Sequence, residues 1–176
     1  MANEYGRMRR RQLGFNLIEV MIALVIISLG LLGLAGLQVS SLKQNQSAYY
    51  RSQATLFAYD IADRMRANMD EVNAGSYFVA SGAIESDCIN YTGSATGCDA
   101  GEMASHDIGE WLAAINEELP LGGGLVCRSD LTGDDLGAPD CEDPGDASNP
   151  VVVYVWWNDD KSASGATAQF SVGIEL

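Results

Sequence analysis

Residues 14–42 read GFNLIEVMIALVIISLGLLGLAGLQVSSL, and this stretch decides the architecture. Glu19 is its only charge, and residues 20–37 are almost wholly Leu, Ile, Val, Ala, Met and Gly. A bilayer core of about 30 Å needs roughly 20 apolar residues of helix, so the stretch predicts one membrane-spanning helix. A buried core helix of a soluble protein is the plainer reading, but so uniform an apolar composition disfavours it. A cleaved secretory signal also fits poorly. The run is longer than the roughly 7–15 residues of such a signal, and Glu19 interrupts its start, although Leu34, Ala35 and Gly36 imitate a small-residue cleavage site.

The flanks differ sharply in charge. Residues 1–14 hold Arg7, Arg9, Arg10 and Arg11 against Glu4. Residues 43–176 hold 6 basic and 22 acidic residues, so a net charge of −14 for the chain conceals a basic leader, an apolar segment and an acidic head. Arginines before the segment and none soon after it orient the N-terminus to the cytoplasm and the head to the outside. An acidic head excludes nucleic acid as a partner, because phosphate binding needs clustered Lys and Arg.

Glu19 is costly at the edge of a membrane span, so such a carboxylate implies a partner. The residues around it sharpen this. Gly14-Phe15-Asn16-Leu17-Ile18-Glu19, with arginines before and the apolar run after, resembles the class III signal of type IV prepilins. Asn16 stands where Thr is common in that family. The resemblance implies cleavage by a prepilin peptidase between Gly14 and Phe15 and N-methylation of Phe15. It also gives Glu19 a role in methylation and in pairing with the N-terminal ammonium of a neighbouring subunit. A buried amine and a buried carboxylate relieve each other's desolvation when the subunits are in register.

Leu31-Leu32-Gly33-Leu34-Ala35-Gly36-Leu37-Gln38 is similar to the PilV-type minor pilins, as are residues 45–55 and 58–68. A looser similarity extends through residues 107–120 and 151–159. The resemblance implies a structural subunit without catalytic residues, cofactor or metal. Its partners would be other minor pilins, the major pilin, a large tip adhesin and inner-membrane lipid before assembly. Its role would be in a priming or tip complex that supports pilus assembly, adhesion and twitching motility. The competing readings are a type II secretion pseudopilin, a bitopic membrane-anchored periplasmic binding protein and a secreted enzyme.

The expected fold is α+β and pilin-like: a long N-terminal helix packed on a small antiparallel sheet. No Pro precedes Pro120, so one helix can run from residue 15 to about 68, roughly 80 Å at 1.5 Å per residue. The expected divisions are a cleaved leader (1–14), a transmembrane and assembly half-helix (15–42), an amphipathic half-helix (43–68) and an acidic, disulfide-bonded head (69–176). In the amphipathic half, Tyr50, Ala54, Phe57, Ala58, Ile61 and Met65 share one stripe that either packs on the sheet or meets a partner. Asp60 and Arg64 form an i,i+4 pair. Gly30, Gly33 and Gly36 lie inside the apolar helix at a propensity cost of roughly 1 kcal/mol each. They serve either close helix packing in the membrane or a hinge that opens on entry into a filament.

In the head, residues 75–80 and 82–101 read as loops with short extended pieces, and residues 105–119 as a helix ended by Pro120. Strands are expected at residues 125–128, 151–158 and 166–176. Trp156 and Trp157 should point to opposite faces of their strand.

Cys88, Cys98, Cys127 and Cys141 all fall in the head, on the oxidising side, where four cysteines read as two disulfides. Cys88–Cys98 and Cys127–Cys141 each close a short polar loop and are favoured, with nested pairings open. No CxxC spacing supports zinc. The acids of residues 130–146 suggest Ca²⁺, but Asp135 stands where an EF-hand loop needs Gly; a solvated loop, or one that steers a basic partner, is the alternative. His106, the lone imidazole, is expected at the surface near a helix start, and Glu117 and Glu118 on a solvated face. Asn90-Tyr91-Thr92 matches a glycosylation sequon without mechanistic weight.

Overall fold

A helix of 51 residues, α1 (Leu17–Ala67), carries the first third of the computed structural model. The structure describes residues 14–89, 97–129, 136, 137, 139, 141, 149–160 and 163–176. The Asn16 carbonyl opens α1 by accepting hydrogen bonds from the Glu19 and Val20 amides. The chain divides between Gln44 and Asn45 into two units.

In the first unit every described residue is exposed, among them Leu17, Ile22, Val25, Leu29, Leu32 and Leu37. By length and composition this part of α1 can cross a membrane. Ser28 donates its hydroxyl hydrogen to the Leu24 carbonyl one turn back, so a polar group inside the apolar run is satisfied within the helix. The helix passes through Gly30, Gly33 and Gly36 uninterrupted.

In the second unit the rest of α1 supplies one wall of a core. Ala54, Ala58, Ile61, Ala62 and Met65 are buried, with Tyr50 and Phe57 packed beside them. The stripe read from the sequence therefore faces the inside of the head. Its two alanines, with Ala62 beside them, allow close approach of neighbouring elements. After Asn68 the chain forms the short helices α2 (Met69–Ala74) and α3 (Ser86–Ile89), in stretches with no helical apolar period. Gly75 ends α2 at φ +83°, a left-handed C-cap that glycine adopts without penalty.

Helix α4 (Ala100–Glu118) begins earlier than the apolar spacing indicated. Asp99 accepts from the Glu102 amide at 2.8 Å, and Glu102 accepts in return from the Asp99 amide at 3.0 Å. This capping box satisfies two of the free amides and fixes the start. The correction moves His106 and Asp107 from the helix start to its interior. Neither is at the surface: His106 is 6% and Asp107 7% exposed.

Three strands follow: β1 (Gly123–Arg128), β2 (Val151–Trp157) and β3 (Ala168–Ile174). They form an antiparallel sheet in the order β1-β2-β3, with Leu125 opposite Tyr154 and Tyr154 opposite Ser171. The architecture is α+β, a long N-terminal helix followed by a small antiparallel sheet. The central strand is buried on both faces. Val151, Val153, Val155 and Trp157 join the main core, while Val152, Tyr154 and Trp156 pack with Cys127, Leu125 and Cys141 on the other side. The strand therefore reads as a continuous apolar run. Trp156 and Trp157 do take opposite faces, and Trp156 lies against Gly123 and Gly137 of its own chain.

Candidate functional site

Two regions carry the chemistry. The first is the start of the apolar helix. Phe15 is 83% exposed, and Glu19 sits exposed in the first turn of α1. A carboxylate in a helix's first turn is favoured by the helix dipole, so Glu19 is tolerated locally even though it opens an apolar segment. A Cβ added at Gly14 would meet nothing within 4 Å among the described residues. The same holds for Gly30, Gly33 and Gly36, where an added Cβ would meet nothing. These glycines answer to no packing need within the chain itself. An apolar surface this long and continuous is far larger than what a soluble monomer exposes. It calls for lipid or for other helices.

The second region is a polar network in the head. Arg64 on α1 contacts Asp60 through Nε at 3.2 Å and both Asp107 and Glu110 of α4 through Nη1 at 3.0 Å. Burial pulls the Arg64 guanidinium down, but its bonds to Glu110 and Asp107 outweigh that and raise it further above its ordinary range. The Tyr77 hydroxyl donates to the other Asp107 oxygen at 2.7 Å. Burial pushes the Tyr77 phenol up, and donation to Asp107 adds to the effect. Asn68 donates to the Ala100 carbonyl at 2.8 Å, so the end of α1 is tied to the start of α4. The i,i+4 pair read from the sequence is thus one arm of a larger assembly. The sequence separation of 43 between Arg64 and Asp107 hides the rest.

His106 also serves structure. Its Nδ1 accepts from the Glu85 amide at 3.1 Å, and its Nε2 lies 3.5 Å from Glu110. The extended segment before α3 is thereby held on α4, helped by Ser105, which accepts from the Ala83 amide. Close contact makes this docking tight: a Cβ on Gly82 would fall 2.3 Å from the Ser105 carbonyl oxygen.

The disulfides join Cys88 to Cys98 and Cys127 to Cys141, leaving no free cysteine. The first staples α3 to the start of α4. The second ties β1 to Cys141, which packs against Val152 and Tyr154 of β2. Among the described residues, no cluster of His, Cys, Asp or Glu is arranged to hold a metal ion. The acids of residues 130–146 (Asp130, Asp134, Asp135, Asp140, Glu142, Asp143 and Asp146), the leader residues 1–13 and the sequon at Asn90 lie outside the described residues. Glu117 and Glu118 are exposed.

Comparison with protein families gives two matches. Residues 9–35 match the prokaryotic N-terminal methylation motif. Residues 36–109 match the family described as Type IV pilin Tt1218, which takes in the head-facing part of α1, the Cys88–Cys98 loop and the first half of α4. No curated protein matches the chain. No solved structure matches it.

Proposed function

We propose that this chain, which carries a type IV pilin domain behind a prepilin methylation motif, is a minor pilin of the PilV type. The observation that carries the reading is the continuity of α1: one helix is wholly exposed and apolar over its first part and built into a folded head over its second. Such a subunit is stored in the inner membrane, with its N-terminus cytoplasmic and its head periplasmic. Prepilin peptidase removes residues 1–14, and Phe15 becomes the N-methylated first residue. The apolar helix then exchanges lipid for the helices of other pilins.

Glu19 supplies the register in that exchange. Desolvated among apolar helices it is unfavourable alone, and the new N-terminal ammonium of a neighbouring subunit is the partner of opposite charge. The contact is heterologous, so repetition generates an open helical filament rather than a closed ring. Gly30, Gly33 and Gly36 give this helix a place to stretch or to approach its neighbours closely. As a minor pilin the chain joins other minor pilins, the major pilin and a large tip adhesin in a priming complex, and so supports assembly, adhesion and twitching motility. Its role is structural rather than catalytic.

The test is to shear pili from cells and probe for this chain. It should be found in the pilus fraction, and Glu19→Ala should stay in the membrane and be depleted from pili at least about tenfold, the effect of roughly 1.4 kcal/mol per subunit. Recovery with type II secretion components, and absence from pili, would replace this reading with that of a pseudopilin.

A further inference from the structure

The head holds two half-buried arginines in contrasting situations. Arg64 is bound by three carboxylates. Arg128, at the end of β1, is bound by none among the described residues, in a chain whose net charge is −14. Arg128 is nevertheless held in place. Its guanidinium lies 5.6 Å from the centroid of the Phe78 ring and donates to the Asn149 carbonyl at 2.8 Å. A cation over an aromatic face is attracted by the ring quadrupole and loses rotamer freedom before any ligand arrives.

This guanidinium lines a cavity of about 360 Å³ where the ends of all three strands meet α2. That volume is in the range of small-ligand sites. Val72, Val151 and Ile174 supply apolar lining, and the exposed Glu175 is in the lining as well. The charge and shape point to one ligand chemistry. The planar fork of Arg128 matches a carboxylate. The apolar lining suits a branched aliphatic side chain, and Glu175 is an acceptor in the same lining for an amide N–H.

We propose that this cavity binds a carboxylate carried on a small apolar body, the chemistry of a C-terminal Leu-like residue, with Arg128 as its anchor. The proposal does not depend on the role in pilus assembly. A free N-acylated amino acid and the C-terminus of a peptide share this chemistry, and an experiment separates them.

The full chain in detergent micelles is titrated with N-acetyl-leucine, N-acetyl-leucinamide and N-acetyl-Ala-Ala-Leu, following the Arg128 side-chain and Val72 amide resonances by NMR. N-acetyl-leucine should bind saturably in the millimolar range, as ligands of a dozen heavy atoms do. The amide, which lacks the carboxylate, should bind at least about tenfold more weakly. If the natural ligand is a peptide C-terminus, the tripeptide binds at least as well as N-acetyl-leucine; if it is a free acid, the tripeptide is excluded. Arg128→Gln should abolish the distinction between acid and amide, with Arg128→Lys intermediate. Equal shifts for acid and amide in the unaltered protein, or no saturable shift with either acid, would overturn the proposal without reliance on any variant's folding.

Discussion

Arg64 on α1 and Asp107 on α4 meet at 3.0 Å, with the Asp107 side chain 10% exposed and that of Arg64 31%. This pair, with Tyr77 on the second Asp107 oxygen, joins the long helix to the head's principal helix. Removing the carboxylate leaves a buried phenol without its acceptor and takes one of three carboxylates from a partly buried guanidinium. Asp107→Ala should therefore destabilise the head by about 2 kcal/mol, below the full penalty of a buried pair because Arg64 keeps some water and two other carboxylates. Asp107→Asn, which keeps an acceptor, should cost about half as much. Urea unfolding of the full chain in detergent reads both; equal stability of Asp107→Ala and the unaltered protein would show that the network is incidental.

Tyr77 makes a pH-dependent contribution. Its pKa in the folded state is raised, chiefly by burial. The fold therefore favours the neutral phenol. The stability tied to this preference is complete below the ordinary phenol pKa of about 10 and is lost as pH rises above it. Tyr77→Phe should cost about 1 kcal/mol at pH 7, where a bond to Asp107 is lost. It should also flatten the fall in stability above about pH 10 relative to the unaltered chain. Parallel alkaline limbs for the two proteins would contradict this.

Gly124 on β1 faces Trp111 of α4. A Cβ at this position would fall 2.3 Å from the far edge of the indole ring, whose Nε1 is committed to the Phe57 carbonyl at 2.9 Å. The ring cannot move aside without breaking that bond between α4 and α1. Gly124→Ala should destabilise by about 1–3 kcal/mol, the range for overpacked cores, and should shift the Trp111 fluorescence. A neutral substitution would mean that α4 and the sheet can separate slightly at little cost.

The division between what could and could not be read in advance follows the range of the forces. The long helix was legible because apolar uniformity, the absence of Pro before Pro120 and the stripe from Tyr50 to Met65 are local patterns. The sheet was legible in the β-branched and aromatic run of β2. The first turn of α4 was missed because Ala100, Gly101 and Glu102 have no apolar period, although Asp99 and Glu102 stand at the capping-box spacing that would have shown it. His106 and Asp107 were misplaced for the same reason. The network around Arg64 was out of reach: its partners lie on different elements and only the fold brings them together. Arg128 gave no sequence signal at all, since its distinction is the lack, among the described residues, of a carboxylate in contact with it.

The disulfide between Cys127 and Cys141 does more than close a loop. Cys127 is 4% exposed and packs with Val152 and Tyr154 in the small cluster on the outer face of the sheet. Replacing both cysteines by Ala should cost about 3 kcal/mol from loop closure alone, and more where the cluster loosens. Thermal unfolding with and without reductant checks this. The unaltered protein should lose stability on reduction, and the doubly substituted protein should lose less, retaining only the response of Cys88–Cys98. An equal response to reductant in both would contradict a stabilising role for this bond.

The account as a whole turns on what happens between Gly14 and Phe15. Intact-mass measurement and N-terminal sequencing of the protein extracted from membranes test it most directly. The expected result is a chain that begins at Phe15, carries one methyl group on its terminal nitrogen and retains the whole of α1. A chain that begins at any other residue, whether Met1 with the leader intact or a position beyond the apolar run, would contradict the account.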